Sequence, residues 1–152
     1  MERLSDVGTP YLPSLELHLD DRGSFLQVYN SDLPFTVKRV YVLHTTKGVI
    51  RGLHGHKKEE KAFMILDGMV KFVVLPLDTD EDPSVIDIHE FVLSDRKAEI
   101  LVVPSGYYNG FVTLSSFSTL LCLSSSILLE SLEDDVRVDP FKFGDFWSVK
   151  HR

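Results

Sequence analysis

Residues 51–57 read Arg51-Gly52-Leu53-His54-Gly55-His56-Lys57, and they set two imidazoles two positions apart in a chain with a β-type pattern. Side chains at positions i and i+2 of an extended strand point to the same face, so His54 and His56 are predicted to enter one cavity together. Two histidines on an inward face can hold a metal ion or move protons. The pair taken alone leaves both kinds of site open.

The composition predicts a single globular domain that spans residues 1–152. The chain has 152 residues, 43% of them hydrophobic, which is enough to bury a core. A net charge of −7 argues against nucleic acid or an anionic membrane as the main partner, although a local basic pocket remains open. The single cysteine, Cys122, excludes an internal disulfide, and we find neither a signal-like segment nor an apolar stretch of membrane-spanning length. We therefore expect a cytoplasmic protein.

Short β-branched and aromatic runs, separated by Gly, Pro, Asp and Ser about every ten residues, predict an all-β protein. The predicted strands cover residues 15–19, 24–29, 38–45, 49–56, 61–66, 69–75, 85–93, 99–103, 109–114 and 118–123. Ten short strands fit a double-sheet jelly roll. Asp67-Gly68 predicts a β-hairpin whose turn fixes the register of the flanking strands. An exposed acidic loop is predicted at 78–83, and a short helical turn at 128–135.

The wider spacing around the histidine pair has the pattern of a known metal motif. A glycine, an H-x-H pair, a carboxylate and a second glycine are supplied by Gly48, His54, His56, Glu60 and Gly68. This series resembles the first motif of the cupin superfamily, and Pro104-Ser105-Gly106 resembles the second. That second motif normally supplies a further histidine where this chain has Asn109. The resemblance implies a cupin barrel, a double-stranded β-helix. Two imidazoles and Glu60 could form a facial triad, so a metal-dependent cupin oxygenase stays open.

Three longer segments are more specific than the two-histidine motif. They are Asp21-Arg22-Gly23-Ser24-Phe25, Pro34-Phe35-Thr36-Val37-Lys38-Arg39-Val40-Tyr41 and Arg51-Gly52-Leu53-His54-Gly55-His56-Lys57-Lys58. In this order they resemble the sugar-nucleotide 3,4-ketoisomerases, which act on dTDP-4-keto-6-deoxyglucose and adopt a metal-free cupin fold. The resemblance implies an isomerase of a nucleotide-diphospho-4-keto-6-deoxyhexose that needs neither a metal nor another cofactor.

The later part of the chain resembles a second branch of the same superfamily. Its residues 103–115 read Val103-Pro104-Ser105-Gly106-Tyr107-Tyr108-Asn109-Gly110-Phe111-Val112-Thr113-Leu114-Ser115. They are similar to the P-x-G-x-x-HGF-x-x-LS element of the dTDP-4-dehydrorhamnose 3,5-epimerases, which also share the RGLH quartet at 51–54. In that family the RGLH histidine is the proton-abstracting base and a tyrosine supplies a proton from the other side.

Two departures from the epimerase pattern affect the expected reaction. The position of the epimerase tyrosine falls close to Cys122, for which core packing is the favoured interpretation. The C-terminal extension that supplies the dyad aspartate in the epimerases is predicted to be truncated here. A 3- or 3,5-epimerase of the same substrate class is therefore the alternative to a ketoisomerase. A non-catalytic sugar-nucleotide binding module is a further alternative.

The chemistry of a ketone shift suits a pair of histidines. Moving a ketone from C4 to C3 requires removal of an α-proton, stabilisation of an enediolate and return of a proton to the neighbouring carbon. Histidine titrates near neutral pH, so one of His54 and His56 can accept a proton while the other donates one. Tyr41 and Arg51 are predicted to donate hydrogen bonds to the enediolate oxygen. Strict alternation would place Arg51 on the opposite face from His54, unless a bulge at Gly52 relaxes it.

Four residues are predicted to bind the nucleotide-diphospho-sugar: Arg22, Lys61, Tyr107 and Asn109. Arg22 lies in a segment that resembles the nucleotide-contacting strand of these enzymes, and a guanidinium fits phosphate oxygens. Lys61 has a position like the lysine before the hairpin glycine of the epimerases, and Tyr107 can stack on a base. The resembling enzymes are dimers with an exchanged strand, which implies a homodimer with an exchanged edge at 15–29.

Overall fold

The computed structural model describes residues 8–78 and 83–152. Its strands are β1 (Leu17–Asp20), β2 (Gly23–Leu26), β3 (Arg39–Thr46), β4 (Ile50–His56), β5 (Lys61–Asp67), β6 (Met69–Pro76), β7 (His89–Ser94), β8 (Leu101–Val103), β9 (Tyr107–Thr113), β10 (Phe117–Ser124) and β11 (Asp135–Arg137). One α-helix, α1 (Leu128–Glu133), and a 3-10 turn (Pro83–Val85) complete the regular structure of these residues. Neither helix is long and apolar enough to cross a membrane.

The strands are arranged in two main antiparallel sheets with nested pairing. One sheet has the order β3-β10-β5-β8 and the other β11-β4-β9-β6-β7. The innermost pair is β6 with β7, followed outward by β5 with β8, β4 with β9 and β3 with β10. Consecutive strands from β3 to β6 alternate between the two sheets, as in a double-stranded β-helix. The prediction of an all-β cupin-type jelly-roll barrel is confirmed.

All ten predicted strands are present, with ends that differ by a few residues. The largest difference is at residues 85–93, where the 3-10 turn takes the first position and β7 begins only at His89. The helical turn predicted at 128–135 forms as α1. Strand β11 was not predicted. Most of the acidic loop predicted at 78–83 lies outside the described residues.

The prediction of a β-hairpin at Asp67-Gly68 is wrong. The two strands that flank this turn, β5 and β6, belong to different sheets. Gly68 does have a positive φ of 94°, but its N–H donates to the Asp95 carboxylate at 3.2 Å and its carbonyl accepts from the Asp95 N–H at 3.0 Å. A Cβ at Gly68 would collide with the Phe117 carbonyl oxygen, so the position requires glycine. The turn therefore carries the chain from one sheet to the other instead of pairing its two strands.

Three apolar layers hold the sandwich together. The interior between the sheets contains Phe63, Phe72 and Phe111. The C-terminal segment covers the outer face of the larger sheet with Phe143 and Trp147, and the N-terminal segment covers part of the smaller sheet. Since both faces of the inner strands are covered, β6 is buried at six successive positions. This explains why the sequence shows apolar runs there rather than alternation.

Apolar side chains remain exposed on the N-terminal hairpin and on one sheet edge. Strands β1 and β2 form a separate two-stranded sheet, in which Leu19 and Phe25 are 75% and 63% exposed. Strand β3 is the outermost strand of its sheet, and it exposes Val40 and Val42. An unprotected edge with apolar side chains is a place where another chain can add. The fold thus leaves both features available for contact with another chain.

Candidate active site

A cavity of about 530 Å³ lies between the two sheets, in the size range of small-molecule sites. Its walls come from β3, β4, β5 and β9, with α1 and β11 completing the lining. The lining includes four basic side chains and one acidic one, namely Arg39, Arg51, Lys61, Arg137 and Asp135. A chain with a net charge of −7 therefore encloses a locally basic pocket of the kind that suits phosphates.

Six of the eight predicted site residues line this cavity: Tyr41, Arg51, His54, His56, Lys61 and Asn109. Arg22 and Tyr107 do not. Arg22 is in the turn between β1 and β2, where its exposed guanidinium pairs with Asp20 at 2.5 Å. The Tyr107 hydroxyl donates to the Gly8 carbonyl at 2.6 Å, and its ring lies edge-on to His89. Both side chains are thus engaged elsewhere in the protomer.

Arg51 lies on the same side as the histidines because β4 is irregular at Gly52. The register of β4 against β9 shifts between Arg51 and His54. Gly52 has a φ of 150°, and a Cβ there would lie 2.7 Å from the Gly110 Cα. Both the dihedral angle and the close approach of β9 exclude a side chain at this position. The irregularity that Arg51 needed to reach the cavity is therefore present.

His54 is half-buried, and its Nδ1 lies 4.0 Å from a carboxylate oxygen of Asp135. Burial lowers the pKa of His54; Arg137 lowers it further, while Asp135 opposes the shift. Strand β11 supplies this carboxylate by pairing Asp135 with His56 and Arg137 with His54. The C-terminal extension that carries the dyad aspartate of the epimerases is predicted to be truncated, so no such aspartate is expected from the sequence. An aspartate nevertheless lies beside His54.

His56 is almost fully buried and faces a second carboxylate. Its Nδ1 lies 3.1 Å from Oε2 of Glu59, a side chain with no exposed surface. The Glu59 carboxylate accepts hydrogen bonds from the hydroxyls of Ser124 at 2.5 Å and Ser131 at 2.6 Å. It also accepts one from Arg39 Nη2 at 3.3 Å. Each histidine of the pair therefore has its own carboxylate on the Nδ1 side.

The charges around His56 act in opposite directions. Burial lowers the pKa of His56 and Lys61 lowers it further, whereas Glu59 raises it. Burial also lowers the pKa of Lys61 itself. Glu59 is not among the residues predicted from the sequence, because the charged run at 57–61 has the pattern of a solvated surface and nothing local distinguishes its one buried carboxylate.

Cys122, for which core packing is predicted, has its side chain in the core. It is fully buried in the interior cluster, and burial raises the pKa of its thiol to about 12. Its partner across the strands is Tyr41, whose phenol contacts the thiol. Burial also raises the pKa of Tyr41, which therefore stays a neutral phenol. Tyr41 is part of the cavity lining, and Cys122 is not.

Of the three residues of the possible metal triad, His54 and His56 line the cavity and Glu60 does not. Glu60 is absent from the lining; its backbone N–H donates to Ser125 Oγ at 2.8 Å, and burial raises the pKa of its carboxyl. Within residues 8–78 and 83–152, no group of three or more His, Cys, Asp or Glu side chains is arranged to hold a metal ion. The geometry therefore gives no support to the metal-dependent oxygenase alternative.

The chain is similar to a known family of sugar-nucleotide enzymes. Residues 7–150 match the family model described as dTDP-4-dehydrorhamnose 3,5-epimerase. A TDP-4-oxo-6-deoxy-α-D-glucose-3,4-oxoisomerase from Aneurinibacillus thermoaerophilus is 40% identical over 58 residues. That alignment covers 37% of this chain and 42% of the relative, so the match spans less than half of the relative's length.

Two solved structures share the fold over most of their length. A dTDP-4-dehydrorhamnose 3,5-epimerase from Bacillus anthracis, solved with TDP and PPi bound, has a TM-score of 0.79 at 24% identity and covers 94% of this chain and 87% of its own. A 3,4-ketoisomerase from Helicobacter canadensis has a TM-score of 0.72 at 23% identity and covers 89% of this chain and 95% of its own. At these identities the similarity establishes the fold alone.

Proposed function

The chain belongs to the dTDP-4-dehydrorhamnose 3,5-epimerase family, and we propose that it is a 3,4-ketoisomerase of a nucleotide-diphospho-4-keto-6-deoxyhexose, with dTDP as the expected nucleotide. The observation that carries this proposal is the convergence of His54 and His56 in a basic cavity, each with a carboxylate near its Nδ1. A ketone shift needs two proton carriers, and a paired-histidine site supplies them.

The isomerisation moves two protons and changes no overall oxidation state. The C3 proton is removed to form an enediolate and a proton is delivered to C4, while the proton on O3 leaves and a proton is added to O4. We assign the carbon-bound proton to His54, which corresponds to the base of the resembling epimerases and has Asp135 beside it. We assign the oxygen-bound proton to His56. Both imidazoles have pKa values lowered by burial and are neutral at pH 7, ready to accept protons.

Tyr41 and Arg51 are the proposed donors to the enediolate oxygen. A neutral phenol and a guanidinium can both donate hydrogen bonds to developing negative charge, and both side chains line the cavity before substrate enters. Lys61 and Asn109 are proposed substrate contacts in the same lining. The excess of basic groups supports a diphosphate ligand, because fixed cations attract phosphate oxygens.

The decisive experiment is to incubate the protein with dTDP-4-keto-6-deoxyglucose in deuterated water and locate the ketone and the deuterium by NMR. A carbonyl at C3 with deuterium at C4 supports the ketoisomerase. Deuterium at C3 or C5 with the ketone still at C4 would identify a 3- or 3,5-epimerase, the candidate that Asp135 beside His54 favours. Thermal stabilisation by dTDP with no exchange would instead indicate a binding module.

The activity should persist at moderately acid pH. The pKa values of His54 and His56 lie below 6.5 chiefly because of burial, so the acid limb of kcat/KM is expected below pH 6.5. Stability should also fall as pH drops from 6.5 toward those lower pKa values, because the unfolded chain then binds protons that the folded chain does not. A pH series of kcat/KM and of melting temperature tests both. An acid limb above pH 6.5 would contradict the assignment of neutral imidazoles.

We further propose that two copies of the chain associate through the β1–β2 hairpin and the edge of β3. The exposed apolar side chains on both features support a second copy as their cover. In such a dimer the hairpin can bring Arg22 of one copy to the cavity of the other. This would reconcile the predicted role of Arg22 with its position outside the cavity of its own protomer.

Val42→Lys should weaken this dimer, because it places a charge on the free edge of β3. Sedimentation velocity or light scattering should show a dimer for the wild type and a shift toward monomer for the variant. Val92→Lys is the matched control, since Val92 is equally exposed on β7, the edge strand of the other sheet. A wild-type monomer, or equal dissociation of both variants, would contradict the proposed interface.

A further inference from the structure

The side chain of Glu59 lies outside the cavity lining, behind His56, and has no exposed surface. An ionised carboxylate that is removed from water is strongly destabilising unless charges and hydrogen-bond donors compensate it. Here the donors come from three separate elements: Arg39 on β3, Ser124 on β10 and Ser131 on α1. The packing alone could be achieved by an apolar side chain without any of these partners. Such a converging arrangement points to a requirement for a negative charge at this place.

That negative charge is directed at one catalytic histidine. Oε2 of Glu59 lies 3.1 Å from Nδ1 of His56, and the next carboxylate, that of Asp134, is 3.9 Å away. Nδ1 is buried and has no aligned hydrogen bond in the part of the chain that the structure describes. The distance from Nδ1 to Oε2 of Glu59 is that of a hydrogen bond, but the contact does not have hydrogen-bond alignment. Catalytic hydrogen bonds of this kind often become aligned only when substrate binds.

We propose that Glu59 is a positioning residue for His56, which it holds as the tautomer protonated on Nδ1, with Nε2 directed to the substrate. The inference rests on the proposed function, since it concerns the histidine assigned to the oxygen-bound proton. An ionised carboxylate only accepts hydrogen bonds, so the nitrogen that faces it must carry the proton. The other nitrogen of a neutral ring is then the basic one.

Glu59 also opposes the groups that make His56 a weaker base. The charged groups that face His56 are Lys61 on β5, Glu59 on its own loop, and Asp134 and Asp135 after α1. Compared with the Asp134 carboxylate, the Glu59 carboxylate is nearer to Nδ1 and more deeply buried. Removing its charge would leave Lys61 and burial less opposed, and the pKa of His56 would fall.

Arg39 connects this charge to the other side of the cavity. Its Nη2 contacts Glu59 Oε1, and its guanidinium lies 4.9 Å from the centre of the Tyr41 ring. The arginine thus neutralises the buried carboxylate while packing against a proposed enediolate donor. His56, Glu59, Arg39 and Tyr41 form one continuous set of contacts, in which Glu59 is the only anion.

The proposal is tested with Glu59→Gln, which keeps the size of the side chain and removes its charge. In 15N-histidine-labelled protein without substrate, two-bond 15N–1H spectra should show His56 protonated on Nδ1 in the wild type. In the variant we expect a mixed tautomer and a titration midpoint at lower pH. The rate of the ketone shift should fall roughly tenfold to a hundredfold, by analogy with carboxylates that orient metal-bound histidines, while KM and deuterium exchange at C3 change little.

Glu99→Gln is the control, because it removes a carboxylate that is 10% exposed, pairs with Lys97 and lies outside the cavity lining. It should leave the His56 spectrum unchanged. An unchanged tautomer and midpoint in Glu59→Gln would overturn the proposal even if the rate fell, because the role would then be structural. If that variant does not fold, Glu59→Asp withdraws the charge from Nδ1 and must still alter the tautomer. The spectra need no turnover, so this proposal and the proposed function can fail separately.

Discussion

Replacing His56 with asparagine is expected to stop the ketone from moving while the C3 hydrogen still exchanges with solvent. Asparagine retains a polar side chain but cannot titrate, so it cannot carry a proton between O3 and O4. We expect the ketone-shift rate to fall at least about a hundredfold, the lower end of what a general acid or base contributes. Exchange at C3 should remain, because His54 and Asp135 are untouched.

His54→Asn should abolish both the ketone shift and the exchange at C3, because it removes the proposed carbon base. Both variants are assayed by NMR with the same substrate in deuterated water. His151→Asn is the control, because His151 is exposed near the end of the sequence and lies outside both the cavity lining and β3. A ketone shift at the wild-type rate in His56→Asn would refute the paired-histidine mechanism. If His56→Asn lost the deuterium exchange at C3 and His54→Asn kept it, the roles proposed for His54 and His56 would have to be exchanged.

Trp147→Ala is expected to lower the free energy of unfolding by about 3–5 kcal/mol. Trp147 is 5% exposed in the cluster that covers the outer face of the larger sheet. Its Nε1–H donates to the Pro140 carbonyl at 2.8 Å, and its ring lies so close to Gly110 that a Cβ there would be 3.0 Å away. Alanine would leave a cavity behind β4 and β9 and an unpaired carbonyl. Since single domains are stable by roughly 5–15 kcal/mol, the loss would be a large fraction.

Urea unfolding followed by far-UV circular dichroism measures this loss without relying on the indole. Phe141→Ala is the control, because Phe141 belongs to the same C-terminal segment but is 51% exposed. Surface substitutions usually change stability by only about 0.5 kcal/mol. A similar loss in both variants would mean that the segment does not act through burial of Trp147. Unchanged stability in Trp147→Ala would mean that the segment does not stabilise the larger sheet at all.

Much of the fold could be predicted because its signals are local. The runs between Gly, Pro and Asp residues identified ten strands, and the histidine spacing in β4 identified one face of the cavity. The same local signal failed at Asp67-Gly68. A positive φ at glycine reports that the chain turns, but which strands then pair depends on the sheet that each strand joins. That information lies in contacts far apart in the sequence.

The two carboxylates beside the histidines could not be predicted for the same reason. Asp135 reaches His54 only because β11 adds to the edge of β4, some 80 residues earlier in the chain. Glu59 looks like one acidic residue among several charged neighbours until Ser124, Ser131 and Arg39 enclose it. Residue type and spacing were enough to predict the site residues that lie on strands visible in the sequence. Tertiary pairing decided which charges accompany them.

The nested pairing of the strands has a consequence for how the protein is made. Strand β4, which carries both histidines, pairs with β9 and β11. Strand β3, which carries Tyr41, pairs with β10. A nascent chain that has emerged only as far as β7 can close the inner hairpin, but it still lacks every partner of the histidine strand. The strand that carries both histidines therefore remains unpaired until nearly the whole of the described fold has left the ribosome. Long-range pairing of this kind folds slowly, so early release of the chain should favour aggregation over partial activity.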